Sequence, residues 1–98
     1  MAGSETQAKD RAIVAILGND RAGIVAAATV ALAKADVNIL NISQTIMNGI
    51  FTMSMEVDLT QANKSFAEIQ EDLDNVAREL NLQITIQRED VFNYMHRV

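Results

Sequence analysis

The 98-residue chain has no cysteine and no proline, and its single histidine is His96. Without cysteine there is no disulfide framework, no thiol nucleophile and no thiolate metal site. One histidine near the C-terminus excludes a His-rich zinc site and argues against a Ser-His-Asp triad. We therefore expect no catalytic residues, no metal site and no cofactor. Aromatics are scarce, with three Phe and one Tyr. Basic residues are outnumbered, 8 Lys and Arg against 13 Asp and Glu, for a net charge of −5. Nucleic-acid domains carry clustered positive charge, and sheet-based RNA binding needs stacking aromatics, so neither is expected here. No apolar run is long enough for a membrane span. Met1 to Asp10 has no apolar h-region and does not read as a signal peptide. The expected location is cytoplasmic, with no membrane partner.

What remains is an ordinary globular balance, 49% apolar and 21% charged, of a size for one domain. Residues 1–11 read as a flexible tail and residues 12–98 as a single domain. Ala12 to Leu17 is apolar throughout, as in a strand buried on both faces. Gly18 to Gly23 reads as a loop, with turn glycines at both ends. A helix is predicted over Ile24–Ala35, capped by Asp20. Its stripe is Ile24, Ala28, Ala31 and Ala35, widened by Val25 and Leu32. Asp36 to Met47 reads as a strand.

Asn48-Gly49 between two strand-like runs predicts a two-residue type I′ hairpin. The resulting register pairs Met47 with Ile50, Ile46 with Phe51, Gln44 with Met53, Ile42 with Met55 and Leu40 with Val57. One hairpin face is then apolar, with Gln44 the exception, and the other is rich in Ser and Thr. A second helix is predicted over Ser65–Asn81. Ser65 and Glu68 form a capping box, and Phe66, Ile69, Leu73, Val76 and Leu80 line one stripe. Leu82 to Arg88 reads as the last strand. Asp90 would cap a short final helix, Val91–Met95.

The order βαββαβ predicts an α+β ferredoxin-like sandwich: a four-stranded antiparallel sheet with two helices on one face, plus a short C-terminal helix. Two helices leave the other sheet face open. The first strand is apolar on both sides, so either Val14 and Ile16 or Ile13 and Leu17 would meet water. Self-association would cover them, through sheet edges, helices or the open face, and a homodimer or higher homo-oligomer is expected.

The loop Leu17-Gly18-Asn19-Asp20-Arg21-Ala22-Gly23-Ile24-Val25, together with Val37-Asn38-Ile39, resembles the ligand loop of ACT domains, small regulatory modules that bind amino acids. With Asn41-Ile42-Ser43-Gln44-Thr45, Gly49-Ile50-Phe51-Thr52-Met53 and the ending Glu89 to Arg97, the chain is similar to the small stand-alone ACT proteins of the UPF0237-like family. The resemblance covers nearly everything beyond the tail. It departs at Ala22, where the family loop commonly has proline, so the loop is less preorganised in the unfolded chain by about 0.4–1 kcal/mol.

The residues themselves support a site here. A helix N-terminus near Ala22 to Val25 seats a carboxylate, and Asp20 suits an ammonium. An α-amino acid offers both groups. Asn38 adds a carbonyl and an NH₂. The resemblance implies a small amino acid between Asp20 of one chain and Asn38 of its own chain or a neighbour. The candidate ligand-binding set is Gly18, Asn19, Asp20, Arg21, Ala22, Gly23, Ile24, Val25, Asn38, Ile39 and Gln44.

Each residue also has a plainer reading. Asp20 serves as a helix cap, Asn38 satisfies backbone at a strand start, Gln44 bonds a loop carbonyl, and Arg21 faces solvent. The leading expectation is a regulatory amino-acid-binding module acting through a partner protein. The alternatives are a protein-interaction module without ligand and an acylphosphatase-like enzyme using Arg21 and Asn41.

Overall fold

The computed structural model describes residues 10–19 and 21–89. The expected tail up to Lys9, the cap Asp20 and the final helix from Asp90 onward lie outside the described residues. The elements run β1 (Arg11–Gly18), α1 (Arg21–Lys34), β2 (Asn38–Met47), β3 (Ile50–Asp58), α2 (Phe66–Leu80) and β4 (Gln83–Arg88). The sheet order is β2-β3-β1-β4 and every neighbouring pair is antiparallel. This is the ferredoxin-like arrangement, with β1 and β3 in the centre.

The pleat decides which side chains are buried. Ala12, Val14 and Ile16 of β1, Phe51, Met53, Met55 and Val57 of β3, and Ile84 and Ile86 of β4 form the sheet side of the core. Ile24, Ala28 and Leu32 of α1 and Ile69 and Leu73 of α2 close it. The choice left open for β1 is thus resolved: Val14 and Ile16 face the core. Ile13 is half-buried and Leu17 is 42% exposed, so in the single chain β1 is buried on one face only.

Helix α1 begins at Arg21, three residues before the expected start, so Ala22 and Gly23 belong to its first turn. Its buried line is Ile24, Ala28, Leu32 and Ala35, with Ala31 only partly buried. Leu32 thus replaces Ala31 in the stripe. Asp36 does not start a strand. It sits at φ 57 just past α1, where its backbone N–H donates to the Ala33 carbonyl (3.0 Å) and its carboxylate accepts from Asn63 Nδ2 (2.7 Å). The strand then starts at Asn38.

Asn48 (φ 54) and Gly49 (φ 79) form the hairpin turn with the left-handed backbone that a type I′ turn demands. The expected register holds from Met47↔Ile50 to Ile42↔Met55. It fails at Leu40, because a bulge between Ile39 and Asn41 places Ile39, not Leu40, opposite Val57. One extra residue in one strand shifts the facing of everything beyond it. Ile39 consequently packs against the core.

Helix α2 carries the capping box as expected. Glu68 N–H donates to Ser65 Oγ (3.2 Å), and Ser65 N–H donates to Glu68 Oε1 (2.8 Å). Asn81 ends α2 in the left-handed region at φ 58.

Candidate functional site

Three connections meet at one end of the sheet. Gly18 pairs with Phe51, Phe51 pairs with Ile46, and Leu17 pairs with Gln83. The end of β1, the Asn48-Gly49 turn and the α2–β4 link therefore lie side by side. The N-terminus of α1 opens here, and a helix N-terminus carries partial positive charge that favours an anion. No acidic side chain stands in the described first turn of α1 to offset it.

The two loop glycines have different jobs, and neither is a turn glycine. A Cβ on Gly18 would lie 2.5 Å from both Ile24 Cδ1 and Leu82 Cδ2. Gly18 thus lets β1 end directly beneath α1 and the α2–β4 link. A Cβ on Gly23 would meet nothing within 4 Å. Gly23 is exposed on the first turn of α1, with open space beside its backbone.

That space is part of a cavity of about 170 Å³ whose walls include Asn19, Gly23, Ile24 and Asn81. A neighbouring cavity of about 290 Å³ is bounded by Gly18, Asn19, Ile50, Asn81 and Gln83. Asn19 and Asn81 line both, and Asn81 and Gln83 were not among the residues expected at the site. Asn81 carried a signal of another kind: an Asn just past an amphipathic stripe is a helix-stop residue. That it shares a wall with Asn19 follows only from the α2–β4 link lying beside β1. A larger groove of about 640 Å³ lies between α1 and α2, and Gly23 and Leu80 are among its lining residues.

The expected site residues do not all gather at this end. Gly18, Asn19, Ala22 and Gly23 gather at the loop end, and Arg21 opens α1 there. Ile24 is 2% exposed and Val25 packs against the core, so both side chains support the loop from beneath. Asp20 lies outside the described residues. Gln44 is exposed on β2, opposite Met53, because the helices leave the length of β2 uncovered. Its place on the nominally apolar face is therefore a wet one.

Asn38 and Ile39 are not at this end. Asn38 pairs with Asp58, seven residues along β3 from Phe51, and at ~3.3 Å per residue that is about 23 Å from the level of Gly18. A small amino acid spans far less, so the loop and Asn38 of one chain do not share a ligand. Asn41 is also remote: it faces Glu56, five residues from Phe51, which is about 16 Å along the strand. The pairing of Arg21 with Asn41 required for acylphosphatase-like chemistry is not brought together.

Strand β2 is exposed along its free edge. Ile46 and Met47 are each 65% exposed, and Leu40, Ile42 and Ile50 on the same hairpin are also exposed. An edge strand of this length with apolar side chains is a template for pairing with another strand. β4, the opposite edge, is shorter at 6 residues against 10.

Comparison with known proteins places this geometry in context. Residues 10–87 match the family described as the ACT domain. A UPF0237 protein of Methanocaldococcus jannaschii is 46% identical over 88 residues, covering 90% of this chain and 98% of that protein. A UPF0237 protein of Listeria innocua is 44% identical over 88 residues, covering 90% of this chain and 99% of its own. Among solved structures, an ACT domain protein from Streptococcus pneumoniae superposes with a TM-score of 0.73 at 32% identity, covering 84% of this chain and 92% of that one.

Proposed function

The chain belongs to the ACT domain family, and on that premise we propose that it is a small regulatory module that binds an amino acid or similar metabolite between two copies of itself and acts through a partner protein. The observation that carries the reading is the separation of the two ligand groups. The loop end and Asn38 sit at opposite ends of β2–β3, while β2 presents a free apolar edge. Antiparallel pairing of β2 with a second β2 about its midpoint reverses the strand. Asn38 of one copy then falls beside Met47 of the other, at that copy's loop end. A two-fold axis makes the arrangement self-complementary and gives two equivalent sites.

In this reading the N-terminus of α1 receives the ligand carboxylate, Asp20 receives its ammonium, and Asn38 of the neighbouring copy donates and accepts through its amide. Gly18 and Asn19 shape the loop, Gly23 leaves room beside it, and Gln44 lies on the edge strand near the junction. The formyltetrahydrofolate deformylase of Pseudomonas syringae contains a region of similar fold (TM-score 0.71 at 25% identity over 79% of this chain and 26% of that one). A module of this kind is thus found attached to a larger enzyme, which fits an output exerted on another protein.

Calorimetric titration with each amino acid tests the reading. At least one should bind, and Asp20→Ala and Asn38→Ala should each abolish binding. A mixture of the two variants should recover binding, because each mixed dimer contains one site with both residues intact. Absence of binding by every amino acid to folded protein refutes the ligand. Binding that Asn38→Ala leaves unchanged refutes the shared site.

A further inference from the structure

Helix α1 is apolar all round. Between Arg21 and Lys34 its only polar residue is Thr29, whose hydroxyl donates to the Val25 carbonyl (2.8 Å). A helix of this kind is ordinarily covered on every side, yet Val30 on its outward side is 52% exposed. Beside it runs the groove between α1 and α2, whose far wall carries Val76 and Leu80, the latter 41% exposed. The groove is thus an uncovered apolar channel on the layer opposite the open sheet face, and distinct from the β2 edge.

The charges on its rim say what fits it. Lys64 is already paired with Asp72 (Nζ–Oδ2 2.6 Å) within the chain. That leaves Lys34 and Glu79, neither of which has an ion-pair partner among the described residues. α1 runs away from the loop end and α2 runs back toward it, so Lys34 and Glu79 stand at opposite ends of the groove. A rim that is positive at one end and negative at the other is complementary to itself once turned around.

We propose that the α1–α2 groove is a second self-association surface, occupied by the same groove of another copy through a two-fold axis that lies in the contact plane and crosses the groove. The axis sets Lys34 of each copy against Glu79 of the other, brings the Val30 side chains of both copies toward the middle, and places Leu80 beside the charged pair at each end. It leaves the β2 edge free, so the two surfaces act together without competing. Two helices about 21 Å long and about 20 Å across offer a footprint of roughly 400 Å² per copy. This is short of the ~800 Å² per partner of a standard interface, so the association is weak and concentration-dependent.

Sedimentation velocity from low-micromolar to submillimolar protein tests this. The wild type should double in mass over that range from whatever smaller species it starts as. Val30→Glu should abolish the doubling. Lys34→Glu and Glu79→Lys should each weaken it about tenfold, since symmetry places the reversed charge at two contacts. The double variant Lys34→Glu/Glu79→Lys should restore it, which a merely unfolded or sticky single variant would not do. Ile42→Lys, which burdens the β2 edge, should leave the doubling in place, so failure of the edge dimer and failure of the groove contact are separately visible. Wild type that never doubles, as when a different protein covers the groove, overturns the proposal. So do single variants without effect, or a double variant that fails to recover.

Discussion

Gly18 and Gly23 should respond to the same substitution with opposite signs. In Gly18→Ala the new methyl is placed 2.5 Å from Ile24 Cδ1 and Leu82 Cδ2, where carbon atoms prefer about 3.5–4.0 Å. Both neighbours must give way. Leu82 is half-buried and rotates toward solvent, whereas Ile24 is 2% exposed and moves its terminal methyl only by giving up contacts in the core. Overpacking of this kind costs about 1–3 kcal/mol. The loss of backbone freedom in the unfolded chain offsets about 0.4–1 kcal/mol of it. The net is a loss of about 1–2 kcal/mol, and each kcal/mol lowers Tm by about 4–8 °C in a domain of this size.

In Gly23→Ala no contact is made within 4 Å and the residue is already helical, so replacement should stabilise by about 0.5–1 kcal/mol. The open space that makes this harmless to the fold is where the ligand is proposed to lie, so Gly23→Ala should raise Tm while lowering affinity for the amino acid. Urea denaturation with unchanged m-values measures the stability changes. The double variant Gly18→Ala/Leu82→Ala isolates the contact, with a favourable coupling of about 1 kcal/mol expected. Gly18→Ala as stable as wild type, or a cycle with no coupling, would refute the packing argument. A destabilised Gly23→Ala would show that the space beside the helix is not open.

Two smaller effects follow from α2 and its flank. Ser65→Ala removes the hydroxyl that accepts from Glu68 N–H and should cost about 1 kcal/mol, read as a lower urea midpoint. The Lys64 ammonium is raised above its ordinary 10.5 by its hydrogen bond to Asp72, with smaller help from the charges of Asp72 and Glu68. A raised folded-state value means that the stabilisation is complete below pH 10.5 and fades as pH climbs through the raised value. Lys64→Gln should flatten that alkaline decline in the urea midpoint, and an identical decline in the variant would show that other groups cause it.

Local chemistry that acts within a few residues was legible in the sequence. The Asn48-Gly49 turn and the Ser65–Glu68 box depend on neighbours in the chain, and both stand where the residues indicate. The burial side of α2 was legible for a similar reason, since Ile69 and Leu73 are marked off by charges on the other faces. α1 offered no such contrast. With almost no polar residue to mark a wet side, periodicity could not choose between Ala31 and Leu32, and only packing against the sheet selected Leu32. The bulge at Ile39–Asn41 was likewise hidden. No turn residue announces it, and it arises from fitting β2 to β3 between the end of α1 and the hairpin.

The candidate site was legible only as far as the chain is continuous. Gly18, Asn19, Ala22 and Gly23 are neighbours in sequence and remain neighbours at the loop end. Asn81 and Gln83 reach the same place from sixty residues away, and only the antiparallel pairing of β1 with β4 puts them there. Asn38 makes the converse point. It lies close to the loop along the chain, yet one helix and the start of an antiparallel strand carry it to the far end of the sheet. An α/β connection of this length always ends on the side opposite its start, because a single helix traverses the sheet once. A ligand that touches both the loop and Asn38 therefore needs an operation that reverses β2. The two-fold pairing of exposed β2 edges supplies that reversal, so amino-acid affinity and dimerisation should rise and fall together as the protein is diluted.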